Sequence, residues 1–196
     1  MFLAPFLAPT CPGCGAEGAA PCDRCIASME RASLVPTMPG LIACDALLLY
    51  GGVARQVVAG IKYRNARAAV RWLGSAMAVL VQPEDIDLVT WAPTTPRRRR
   101  ARGFDQAESL ARSVAAELHR PVRATLVRQP GPPQTGRTLE ERATGPAFVA
   151  VRPVTGARVL VVDDVVTTGA TVAAAGRVLG LAGARSVRAI AAAHPR

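Results

Sequence analysis

The stretch Arg158-Val-Leu-Val-Val-Asp-Asp-Val-Val-Thr-Thr-Gly-Ala-Thr171 decides the fold. Residues 159–162 are an unbroken apolar run, which suits a strand buried on both faces. Asp163 and Asp164 follow as adjacent carboxylates. Val165, Val166, Thr167, Thr168, Gly169, Ala170 and Thr171 then make a small, hydroxyl-rich turn, and residues 172–181 read as a helix. Strand, acidic pair, hydroxyl-glycine loop and helix are the layout of a phosphate site at the carboxyl end of a parallel strand. Backbone N–H groups of such a loop face an anion, and Gly169 permits close approach or a positive φ. Thr167, Thr168 and Thr171 add neutral donors. The carboxylates repel phosphate and need another partner. Ionised carboxylates only accept hydrogen bonds, so two vicinal ribose hydroxyls fit them. The expected ligand is a sugar carrying a phosphate.

That stretch resembles the signature of type I phosphoribosyltransferases, which bind 5-phosphoribosyl-1-pyrophosphate (PRPP). The resemblance implies an α/β fold, a parallel sheet flanked by helices. It implies that Asp163 and Asp164 form the catalytic pair on the ribose hydroxyls. It also implies that Val165, Thr167, Thr168, Gly169, Ala170 and Thr171 cradle the 5-phosphate, with Mg²⁺ accompanying PRPP. Two rival phosphate-handling folds fit less well. A P-loop ATPase needs G-x-x-x-x-G-K-[ST] upstream, and the chain's one lysine, Lys62, sits in Ala59-Gly60-Ile61-Lys62-Tyr63. A phosphoacceptor receiver would carry its acidic pair near the start of the domain. The plainest alternative is a buried strand with a solvated turn.

Near the N-terminus stand Cys11-Pro-Gly-Cys14 and Cys22-Asp-Arg-Cys25, two C-x-x-C knuckles on a Gly- and Pro-rich stretch. Together they supply the four soft ligands of a closed tetrahedral zinc site. So short a segment has no core of its own, so the metal would hold it folded. Disulfides or free thiols are the alternatives. A redox pair is disfavoured because neither knuckle lies between a strand and a helix. Cys44, in an apolar run, reads as a buried core thiol. The expected organisation is a zinc-binding segment and linker over residues 1–38, then one α/β domain over 39–196.

The densest charge is Arg97-Arg98-Arg99-Arg100-Ala-Arg102, five arginines in six positions after the strand expected at residues 87–92. Ligand loops of α/β sheets lie after such strands, and a bidentate guanidinium suits pyrophosphate or a nucleic-acid phosphate. Like charges so close repel, so a mobile loop is expected here. Lys62 could reach the same ligand. The plain alternative is a solvated basic loop. Further helices are expected over 26–34, 53–63, 66–80 and 104–118, and further strands over 43–50, 122–127, 147–151 and 186–193. Residues 128–146 form a long loop.

The net charge of +10 suggests polyanionic partners or a coding bias toward arginine. Aromatic residues, at 4%, are too few for a large base-stacking platform. No segment reaches the ~18 consecutive apolar residues of a membrane span. The first ten residues are apolar but lack a basic flank and contain Pro5 and Pro9, a poor signal peptide. A cytoplasmic, reducing location is expected.

Beyond the phosphate loop, several further motifs stand in order. They are the four cysteines, Tyr50-Gly-Gly, Ile61-Lys62-Tyr63, Arg102-Gly-Phe-Asp-Gln-Ala-Glu108, and Gln134-Thr-Gly-Arg-Thr-Leu-Glu-Glu-Arg142 with Ala147-Phe148. In this order and spacing the chain resembles the ComF family, notably its ComFC-type members. The resemblance implies a role in DNA uptake during natural transformation and a helicase-like partner. Asp105 stands where that family has Asn, a departure that bears on base recognition more than on PRPP. Three functions are then open: pentosyl transfer from PRPP, a non-catalytic module holding single-stranded DNA with a relic phosphate pocket, and a zinc-stabilised scaffold.

Overall fold

The computed structural model describes residues 9–33, 35–61, 67–129 and 146–195. Lys62 and the motif over 134–142 lie outside the described residues. The elements run α1 (Asp23–Ala27), β1 (Ala43–Leu49), α2 (Gly52–Gly60), α3 (Arg67–Ala78), a 3₁₀ turn (Pro83–Asp85), β2 (Leu88–Trp91), α4 (Pro96–Arg102), α5 (Gln106–Leu118), β3 (Leu126–Arg128), β4 (Phe148–Ala150), β5 (Arg158–Val165), α6 (Ala170–Leu181) and β6 (Ser186–His194).

Four strands make one sheet in the order β1-β6-β5-β2, and every pairing is parallel. The periods explain the layers. Leu160, Val162, Ile190 and Ala192 point to one face and pack with α2, α3 and α5. Val159, Val161, Ala189 and Ala191 point to the other, toward α6 and the β3–β4 ribbon. A strand covered on both faces reads as continuous apolar sequence, which is why residues 159–162 announced it. The ribbon is antiparallel and separate, Val127 opposite Val149.

Several local expectations give way. Residues 97–102 are not a loop. They form α4, with Thr95 as N-cap, Pro96 opening the first turn and Gly103 beyond the end at φ 79°. Those caps, together with arginine's good helix propensity, outweigh the repulsion. The helix expected over 26–34 stops at Ala27. Residues 30–32 instead run along β1, with Ala32 N–H on Leu47 O at 3.2 Å and Leu49 N–H on Glu30 O at 2.9 Å. They occupy the free edge of β1, where an exposed strand would invite other chains. Of the strand expected over 122–127, only Leu126–Arg128 is regular, with Val122 bridging Val89. The last strand, β6, lies between β1 and β5.

The cysteine knuckles rest on α2. A Cβ built on Gly60 would lie 2.8 Å from Pro12 Cβ, and one on Gly13 would lie 2.8 Å from Val53 Cγ1. The side chains of Pro12 and Val53 come close to the backbone here because Gly60 and Gly13 carry no side chain. No helix of the described residues is long and apolar enough to cross a membrane.

Candidate functional site

β2 and β5 are paired neighbours, so the residues just beyond their carboxyl ends meet. Trp91 stands opposite Val162, and Ala92 N–H continues the ladder to Val162 O at 3.1 Å. Past that level the chain of β2 turns through Pro93 and Thr94 into α4, while β5 delivers Asp163 and Asp164. Between them lies a cavity of about 180 Å³, lined by residues that include Asp163, Asp164, Thr171, Arg98, Arg102 and Arg128. Thr94, Asp105 and Gln106 complete its polar wall.

The acidic pair lies within the last part of β5, which runs on to Val165, rather than just beyond the strand expected to stop at Val162. Asp163 Oδ1 accepts the Asp164 N–H at 2.8 Å, and Asp164 Oδ1 accepts the Val165 N–H at 2.8 Å. Burial pushes the Asp163 carboxyl well above the usual carboxylate range, and the neighbouring charge of Asp164 adds to it. Such a group gains from donors brought by a ligand.

The loop after β5 turns through Thr167 and Thr168, both exposed, to Gly169, which takes φ 75° as N-cap of α6. Gly169 is fixed twice over. Its φ is one that side-chain-bearing residues rarely adopt, and a Cβ there would fall 1.9 Å from Met38 Sδ. Thr168 Oγ1 accepts the Ala170 N–H at 3.4 Å. The N–H groups of Thr167, Thr168 and Gly169 find no partner among the described residues. Thr171 reaches the cavity, whereas Thr167, Thr168, Gly169 and Ala170 are not among its lining residues.

The arginine run divides by helical phase. Arg98 and Arg102, one turn apart on α4, line the cavity. Arg97, Arg99 and Arg100 do not, and Arg99 lies 3.6 Å from Glu108. Arg128, which the sequence reading passed over, enters from the β3–β4 ribbon. Alternation puts Arg128 on the same inward face as Leu126, opposite Phe148. Burial holds its guanidinium below the usual arginine range, and the charge of Arg98 lowers it further. Other arginines are matched: Arg112 with Glu108 at 2.8 Å and Arg158 with Asp87 at 2.7 Å. Among the described residues no carboxylate lies within ion-pair distance of Arg98, Arg102 or Arg128. Three guanidiniums thus converge on a small cavity that Asp105, Asp163 and Asp164 also line, with no ion pair to any of the three among the described residues, an arrangement suited to a ligand carrying both phosphate and hydroxyl groups.

Asp105 ties this wall together. Its Oδ2 accepts the Thr94 N–H at 2.8 Å and its Oδ1 accepts the Ala107 N–H at 3.1 Å, so it caps α5 and holds the β2–α4 turn. Both oxygens serve as acceptors, a task a carboxylate does and an Asn side chain does only once. Burial pushes the Asp105 carboxyl up. The capping position was legible, as Asp followed by a helix, but the contact to Thr94 links two separate loops and leaves no local trace.

A larger, open depression of about 540 Å³ runs along Ala150, Val151, Arg152, Pro153, Thr155, Leu181, Ala182 and Gly183, at the far end of α6. It holds no carboxylate and a single charged side chain, Arg152.

The four N-terminal cysteines do come together. Their sulfurs lie within 4.8 Å of one another, with Cys14 Sγ and Cys22 Sγ 3.7 Å apart. Four sulfurs about 2.3 Å from a central zinc would be spaced at nearly this distance. None of the cysteines is in a disulfide. Burial pushes Cys25 up to about 12, with the other thiols adding to it, whereas Cys11, despite its own burial, is drawn down to about 6 by N–H groups including that of Cys22. The donor set fits zinc. Cys44 stands apart in the core, its thiol pushed up to about 12 by burial.

A parallel sheet flanked by helices, with its acidic strand end and glycine turn, is a phosphoribosyltransferase-type fold. Residues 101–196 match the family described as phosphoribosyl transferase domain. No curated protein matches. Three solved structures are similar in part. One is the allosteric regulatory enzyme of purine biosynthesis (27% identity over 64% of this chain and 26% of that one, TM-score 0.45). Another is glutamine phosphoribosylpyrophosphate amidotransferase from B. subtilis (24% identity over 68% of this chain and 30% of that one, TM-score 0.47). The third is a purine phosphoribosyltransferase from Pyrococcus horikoshii Ot3 (17% identity over 64% of this chain and 73% of that one, TM-score 0.44). The matched region therefore spans 26% and 30% of the first two.

Proposed function

We propose that this protein binds PRPP or a related ribose phosphate and transfers the phosphoribosyl group to a nitrogen acceptor. One observation carries the reading: Asp163 and Asp164, together with Asp105, line the same cavity at the ends of β2 and β5 as three guanidiniums that form no ion pair among the described residues. Asp163 and Asp164 accept from the ribose hydroxyls. Thr171, with the N–H groups ahead of α6 that have no partner among the described residues, receives the 5-phosphate, and Val165, Thr167, Thr168, Gly169 and Ala170 shape that turn. Arg98 and Arg102, joined by Arg128, face the pyrophosphate. Mg²⁺, when bound with PRPP, neutralises phosphate charge and steadies the leaving group. In the transfer the C1–O bond breaks and its electron pair leaves with pyrophosphate. The acceptor nitrogen forms the new C1–N bond and gives up a proton. Positive charge that develops on the ribose is stabilised by the nearby carboxylates, and orientation supplies much of the remaining acceleration.

Calorimetry with PRPP and Mg²⁺ tests this. The wild type should bind measurably, and the double variant Asp163→Asn/Asp164→Asn should lose binding on the order of 100-fold, as expected for two charge-assisted contacts. Equal, weak binding by both proteins removes the reading.

Within the same proposal, the cysteine cluster holds a structural Zn²⁺, residues 1–38 act as its module, and the motif resemblance to ComFC-type proteins suggests work on incoming DNA beside a helicase-like partner. Arg97 and Arg100 on the solvent side of α4 favour a second reading, contact with single-stranded DNA. Its affinity would fall steeply with salt, with a slope of about 0.7 per phosphate neutralised. A flat salt response counts against it.

A further inference from the structure

Gln106, the first residue of α5, is only 3% exposed and lines the cavity. Its Oε1 accepts from Arg102 Nη1 at 2.8 Å. A guanidinium has no acceptor, so this contact fixes which end of the amide is which. The oxygen is committed to Arg102 and the amide N–H pair is what remains. That nitrogen is buried and has no partner among the described residues. A buried amide donor left unmatched is costly and uncommon. In a cavity wall shared with Arg98, Arg102 and Arg128, an anionic oxygen of a ligand would meet that N–H.

We propose that Gln106 is a specificity-determining residue, donating its N–H to an oxygen of the diphosphate on C1 and so favouring PRPP over ribose 5-phosphate. The inference rests on the phosphoribosyl reading above. Gln106 shares the cavity's cationic wall with Arg102, and the ribose and 5-phosphate are assigned to the residues of β5 and α6, so only the C1 substituent reaches it. Its neutrality matters as well. A fourth cation here would add repulsion to three guanidiniums, whereas an amide adds a donor without charge.

Two variants test it, each titrated with PRPP and with ribose 5-phosphate in Mg²⁺, and each melted without ligand. Gln106→Met keeps the shape and removes the amide. Gln106→Glu keeps an acceptor for Arg102 but has no N–H to give. Both should weaken PRPP on the order of 10-fold and leave ribose 5-phosphate within about twofold of wild type. The ligand-free Gln106→Met protein should melt at or above the wild-type temperature, because an unmatched buried donor has been removed. A residue that merely held Arg102 in place would give the opposite: Gln106→Glu would bind PRPP as wild type does, and Gln106→Met would melt lower. Either result overturns the proposal, as does an equal loss of both ligands. If the wild type binds neither ligand, the phosphoribosyl reading itself falls and takes this one with it.

Discussion

Asp163 follows four apolar residues of β5, Val159 to Val162, and shares their burial. Its raised pKa has a direct consequence for stability. In strong acid the carboxyl is neutral in both the folded and the unfolded chain. As pH rises past its ordinary value the unfolded chain releases the proton first, so stability declines until the folded carboxyl ionises as well. At neutral pH the deficit persists. Asp163→Asn should therefore raise the unfolding midpoint at pH 7 by a few degrees and flatten its fall between acid and neutral pH, while ligand affinity drops. Thermal melts across that range, wild type against variant, check it, and a lower midpoint for the variant at pH 7 contradicts it. The neighbouring Gly169 shows what a reader of sequence can and cannot see at this scale. Its positive φ was implied by a turn between strand and helix. That Met38 fills the space a side chain would need was not, because 131 positions separate the two. Gln106 and Arg128 were missed for the same reason. Gln106 stands inside the 102–108 motif, but nothing local gives either residue its role, which comes from what folding brings opposite it.

At the level of elements, α4 carries the sharpest division of labour. Its arginines look equivalent in the sequence, and helical geometry separates them. Arg98 and Arg102 project to the cavity and Arg97 and Arg100 do not. Arg98→Ala should weaken PRPP by about 10-fold or more, the expected cost of a charge-assisted contact. Arg100→Ala should leave it within about twofold. Parallel titrations decide it, and equal losses would mean that the helix acts through its overall charge instead. A helix forms where a loop was expected because its caps outweigh the repulsion between the arginines. Thr95, Pro96 and Gly103 were all visible as start and stop signals. By contrast the β5 stretch was read well, since strand, acidic pair, turn and helix are consecutive and each is determined locally.

At the scale of the whole molecule, the cysteine knuckles lie against α2 and the following segment covers the edge of β1. Removing a metal from the four sulfurs would therefore loosen more than a tail. Chelation should lower the unfolding midpoint by several degrees, and equimolar zinc should restore it. A midpoint insensitive to both treatments would mean that the knuckles hold without an ion. The cysteine spacing made the cluster legible from the sequence. Its seat on α2 was hidden, since it depends on two glycines, Gly13 and Gly60, whose value lies in what they lack.

The strand order β1-β6-β5-β2 bears on how the chain is made. β1 and β5 share no edge, and β6, the latest of the strands to be synthesised, is the piece that joins them. A growing polypeptide that has reached α6 still exposes two open strand edges flanking an empty slot. Cotranslational completion of the sheet must wait for β6, and until then those edges are open to mispairing or to capture by chaperones.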